Sequence, residues 1–179
     1  MRVRFVVVIA AIAVAPALMS AQTAAPISQA VRKAWDDAKK NVKESADLMA
    51  EADYKFKPAG TAADVRTFGQ IVGHVAGANY VFCAAAKGEK APFAEDAFEK
   101  AATKAAIVKA LGDSLTYCDQ AFTALDDKKA AETIDLPFDM GKAPRVQALL
   151  GNIGHLNEHY GNLVTYFRAK GLVPPSSRR

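Results

Sequence analysis

The chemistry available to this sequence is concentrated in three histidines. They are all that a chain of 179 residues contains, and two of them, His155 and His159, lie in the run H-L-N-E-H. A four-residue spacing stacks two side chains on one face of a helix, so both imidazoles can reach one ion. At about 100° per residue they align with Ala148, Asn152, Asn162 and Tyr166, a polar seam beside the apolar stripe. His74 sits at the margin of another apolar face, between Ile71 and Ala78, where its ring nitrogens need partners. Three neutral imidazoles with one position left open are the ligand set of a catalytic-type divalent site, since structural zinc sites close with a fourth protein ligand. Imidazole alone does not choose among zinc, nickel, iron and copper. We expect one divalent ion, zinc or nickel ahead of iron or manganese. Glu158 adjoins His159 but projects about 100° away, so this is not the arrangement in which a Glu following the first His activates water. It reads as a solvent-facing charge, and no catalytic residue is identified.

Elements that position these residues follow from the apolar periodicity. Ser28 is a candidate N-cap for a first helix carrying Val31, Trp35, Ala38, Val42, Leu48 and Met49 at three-to-four spacing. Pro58 and Gly60 break the next stretch, and Thr67 with Gln70 forms a capping box that opens a second helix over about 67–87. Along it Phe68, Ile71, Val72, Val75, Ala78 and Phe82 make an apolar face. Gly69, Gly73 and Gly77 recur every four residues on another face. Each interior glycine costs about 1 kcal/mol relative to alanine, so the row implies close approach of another helix or room for a ligand. GEKAPFAEDAF reads as a connection. Thr103 then caps a third helix with Ile107, Leu111, Leu115, Cys118, Phe122 and Leu125 on its seam. Residues 126–142, with Pro137 and Gly141, read as a loop or short extended piece. Pro144 suits the first turn of a fourth helix, which ends at Lys170-Gly171 ahead of Pro174-Pro175. Four helices and no convincing sheet make an all-α bundle.

Height along that bundle tests the histidines independently. At 1.5 Å per residue His74 lies about 10 Å into the second helix, and His155 and His159 about 16–22 Å into the last. If those two helices are antiparallel and each about 30 Å long, all three rings reach a similar level.

The chain opens with Arg2 and Arg4, an uninterrupted apolar run from Phe5 to Val14 and then small residues, the order of a cleavable signal peptide over residues 1–25. The run is too short to span a bilayer. The expected products are an exported protein, periplasmic or secreted, with no stable membrane span after cleavage, and one domain over 26–179. The net charge of +4 falls to about +2 without Arg2 and Arg4, and the remaining basic residues are scattered, which excludes a nucleic-acid footprint. Export would carry Cys83 and Cys118 into an oxidising compartment, where a disulfide is permitted but not required, and their spacing alone does not decide it.

The segments RTFGQIVGHVAGANYVF and GNIGHLNEHYGNLVTYFRAKGLVPP resemble the first-histidine helix and the closing metal helix of the DinB/YfiT-like family. The resemblance covers nearly all of the mature chain. The ligand positions match, while Tyr160 and Asn162 depart from the family's R-G-Q-like tail. What the resemblance implies is a four-helix bundle in up-down-down-up order, with the metal held between helices two and four by His74, His155 and His159. Helices two and three would then run parallel, placing Cys83 and Cys118 at similar heights. A bridge is sterically conceivable, and two separate buried thiols are the expectation. Family members with assigned activity include thiol-dependent transferases and isomerases in which the metal activates a small thiol. Two function classes therefore stand: a metal-dependent hydrolase or thiol-type transferase acting on a small molecule, and a non-catalytic exported module binding metal or a small ligand. A homodimer is compatible with either.

Overall fold

A helix that opens on proline loses nothing at its first position, because the missing N–H would be unpartnered there anyway. In the computed structural model, which describes residues 25–178, α1 (Pro26–Leu48) begins in this way, with Ala25 as its N-cap. The expected Ser28 cap is thus corrected: Ser28 lies inside the first turn, buried, with its hydroxyl donating to the Ala25 carbonyl at 3.2 Å. The free N–H groups of that turn are taken instead by a residue distant in sequence. The Asp127 carboxylate accepts from Ser28 N at 2.8 Å and Ile27 N at 3.4 Å. The Ser28 bond holds the Asp127 carboxyl below its ordinary range. The signal peptide expected over residues 1–25 lies, apart from Ala25, outside the described residues. Among the described residues no helix is long and apolar enough to cross a membrane.

The other long helices are α2 (Phe68–Lys87), α3 (Lys104–Ala124) and α5 (Arg145–Ala169). Both halves of the Thr67/Gln70 capping box form, and the Thr103 hydroxyl accepts from Ala106 N at the head of α3. Pro144 stands one place outside α5, as its N-cap. Residues 126–142, expected as a loop or short extended piece, are together with the two residues that follow more ordered than a loop. They hold a four-residue helix, α4 (Asp127–Ala130), and a two-stranded antiparallel hairpin of β1 (Thr133–Asp135) and β2 (Lys142–Pro144). Strands of three residues carry too little alternation to be read from sequence. The hairpin turn keeps Phe138 and Asp139 at φ 58° and 56°, a conformation side chains other than glycine seldom adopt.

Packing pairs define how the helices run. Along α2 and α3, Asn79 meets Ser114 and Lys87 meets Gln120, so position rises together on both. Along α1 and α3 it rises on one and falls on the other: Arg32 reaches Leu125, Trp35 and Lys39 reach Asp119, and Lys104 reaches the carbonyls of Asp47 and Met49. Trp35 stacks on Phe122 with ring centroids 4.4 Å apart. Phe68 packs between Tyr54, Tyr166 and Phe167 and sets α2 antiparallel to α5.

The parallel course of α2 and α3 overturns one expectation. Cys83 and Cys118 are not separate thiols but form a disulfide, with Cα atoms 5.3 Å apart and a sequence separation of 35. Both residues are fully buried, and the Asn152 amide nitrogen lies 3.4 and 3.5 Å from the two sulfurs.

Candidate metal centre

His74 reaches the site from the middle of α2, and His155 and His159 from successive turns of α5. The Nε2 atoms of His74 and His155 are 3.1 Å apart, as are those of His155 and His159. Among the described residues these three form the one group of metal-ligating side chains whose donor atoms all lie within 4.8 Å of one another. Two imidazoles on one tetrahedral ion at about 2.0–2.1 Å stand roughly 3.3 Å apart. The observed spacing therefore fits one shared divalent ion with little movement. The height relation read from the sequence is met by these contacts.

Proton placement makes the same point. His74 Nδ1 lies 3.0 Å from Glu99 Oε1, so the ring donates there and turns the lone pair of Nε2 inward. His159 Nδ1 lies 3.3 Å from Asn162 Nδ2, a contact that holds the orientation of the ring. His155 Nδ1 is buried without a partner. Three Nε2 atoms thus face one point, and the His74 lone pair is turned toward it.

Burial, reinforced by the neighbouring His159 and His74 and by Arg66, pushes the His155 imidazole down to about 3. Burial and then His74 push His159 down to about 4. Both are thus neutral at neutral pH, the form a metal requires. In an unfolded chain they would titrate near 6.5. Between that value and about 4 the unfolded state binds more protons, so their contribution to stability is complete above pH 6.5 and is lost as pH falls. The melting temperature of metal-free protein is accordingly expected to drop between pH 7 and pH 5. A His155→Leu variant should show a shallower drop in the same thermal melts; an equal one would contradict the burial assignment.

Sequence reasoning missed two glutamates, Glu95 within the segment it read as a connection and Glu99 directly after it. Glu99 holds His74 and is itself held by Arg66, whose Nη2 and Nε lie 3.1 and 3.2 Å from its Oε1. Glu95 Oε1 lies 3.6 Å from His74 Nε2. Their placement depends on the glycine row of α2. A Cβ at Gly77 would overlap the Glu95 carbonyl, and one at Gly73 the Phe98 carbonyl. The close neighbour of Gly73 and Gly77 is therefore the 94–99 strap and not the expected helix, while Gly69 faces Tyr54 and also Ile107 of α3. Gly77→Ala is expected to gain about 1 kcal/mol in helix propensity yet lose about 2–3 in forced displacement. Gly112→Ala, with nothing within 4 Å, should be stabilising by up to about 1 kcal/mol. Paired denaturant titrations would check the opposite signs.

Glu158 is exposed, as expected. Tyr160 serves the fold, its hydroxyl donating to Ser176 Oγ and accepting from Ser176 N, both at 2.8 Å. A cleft of about 270 Å³ lined by Asp64, Arg66, Asn162 and Tyr166 reaches His159. A larger depression of about 630 Å³ touches Glu99 but none of the histidines, so the smaller cleft is the one relevant to the site.

Comparison with known proteins agrees with this architecture. The family model of the DinB superfamily matches residues 34–163. A DinB-like protein from Bacillus cereus ATCC 10987 is similar in structure with a TM-score of 0.64 at 18% identity, over 82% of this chain and 95% of that one. A conserved protein from Enterococcus faecalis gives 0.64 at 16%, over 82% and 98%. A mycothiol-dependent maleylpyruvate isomerase gives 0.61 at 16%, over 76% of this chain and 60% of that one. No curated protein matches the sequence. At these identities the structural likeness establishes the fold alone.

Proposed function

The chain belongs to the DinB superfamily, and from that premise we propose that it binds one divalent metal ion through His74, His155 and His159 as a metal-dependent hydrolase or thiol-type transferase. The observation that carries the reading is the convergence of three Nε2 atoms at 3.1 Å spacings, with the proton of His74 held on its far nitrogen by Glu99. Bound there, a zinc or nickel ion would act as a Lewis acid or lower the pKa of a bound water or thiol.

The chain's own residues do the rest. Glu99 fixes the ring and tautomer of His74, and Arg66 holds Glu99. Asn162 orients His159. Phe82, 5.9 Å from the His155 ring, walls the site from the β1–β2 side. The helix directions support an up-down-down-up four-helix bundle as the architecture of the domain expected over 26–179, with α4 and the hairpin as additions to it. The cleft beside His159 is small and mixes Val65, Ile71 and Tyr166 with Asp64, Arg66 and Asn162, which suits a small substrate with both apolar and polar parts. The buried Cys83–Cys118 bridge supports folding in an oxidising compartment, and so supports export to the periplasm or beyond after signal cleavage.

A non-catalytic metal-binding module is the second reading, favoured by the use of Tyr160 to pin the C-terminal tail. Protein loaded with zinc or nickel, offered ester, amide and phosphoester substrates and then thiols with electrophilic acceptors, separates the two. Turnover lost in His159→Ala supports the enzyme; stoichiometric metal without turnover on any of these classes supports the module.

A further inference from the structure

The Glu95 carboxylate has no role in the reading above, yet it lies beside the three-histidine group. Its Oε1 is 3.6 Å from His74 Nε2, one of the nitrogens that face the point of convergence. The set of mutually close donor atoms does not include it, so it stands next to the ligand set and not within it. Its neighbour Glu99 is committed to His74 Nδ1 and Arg66; Glu95 is not. With its side chain 38% exposed, it borders both the site and solvent. Its position is also built in, because Gly77 admits the Glu95 backbone where any Cβ would exclude it, and Gly73 does the same for Phe98. Two contacts of this kind, four residues apart on α2, fix the strap that carries the carboxylate.

Resting on the metal-site reading, we propose that Glu95 is the hydrogen-bond acceptor at the open position, selecting ligands that bring a hydrogen there, a water, an alcohol or a thiol, over bare anions. An ionised carboxylate accepts from such a donor strongly and repels a competing anion across a partly desolvated gap. Glu158, the acid nearest His159 in sequence, is exposed and has no such place.

The test uses full-length mature protein loaded with cobalt(II), whose visible spectrum reports ligands at the open position, titrated with azide at fixed pH. Parent, Glu95→Gln and Glu158→Gln should each take up about one cobalt. Glu95→Gln should then bind azide about 10-fold more tightly than the parent, while Glu158→Gln matches the parent. Unchanged azide affinity in Glu95→Gln would overturn the proposal. So would loss of cobalt from that variant, since the carboxylate would then be a ligand. Failure of the parent itself to take up cobalt would sink the metal-site reading and this proposal together.

Discussion

His155→Ala is expected to weaken binding of a divalent ion by at least about 100-fold, the upper end of what loss of a mere supporting group costs such sites. The ring is the central member of the group, with its Nε2 3.1 Å from those of both other histidines. Its removal leaves two donors too few to enclose an ion. The same substitution should cost the metal-free protein less than truncation of a buried ring ordinarily does, about 3–5 kcal/mol for an aromatic side chain. The native ring is held neutral against its ordinary titration, its Nδ1 is buried without a partner, and its Nε2 crowds those of two other rings. Metal competition titrations and chelator-treated denaturation together check this. A large loss of metal-free stability with unchanged metal affinity would mean that the histidines are packing residues.

Removing the disulfide, as Cys83→Ala with Cys118→Ala, is expected to lower stability by about 3 kcal/mol. The bridge closes a loop of 35 residues, and the loss of loop-closure entropy in the unfolded chain accounts for an effect of about 2–4 kcal/mol. The loss of both sulfurs also leaves the buried Asn152 amide nitrogen without its partners, which adds to the cost. The fold should survive, since α2 and α3 also meet through Asn79 with Ser114 and along their apolar seams. Denaturant titration of the double variant, beside mass analysis of the parent under non-reducing conditions, provides the check. Two alkylatable thiols in the oxidised parent would contradict the bridge.

Local signals in the sequence were the ones that proved legible. The Thr67/Gln70 box and the Thr103 cap involve residues three apart, and the site histidines follow from helical rise and a single assumption about direction. Ser28 misled because its capping role is filled by Asp127, 99 residues away. The hairpin escaped notice because three-residue strands have no period. The bridge was within reach of the height argument, but nothing local distinguishes a bonded cysteine from a buried thiol. Glu95 and Glu99 lay in a segment with no apolar rhythm. Their only trace was the glycine row of α2, which signals that something approaches closely without saying what. These are tertiary facts, and the sequence encodes them only through the partner they meet.

The most direct test of the central claim is the metal content of mature protein isolated from its native compartment without tag or chelator, measured beside a variant with His74, His155 and His159 all replaced by alanine. The account predicts about one divalent ion per chain in the parent and none in the variant. A metal-free parent that stays empty when offered zinc, nickel, iron and manganese would contradict it.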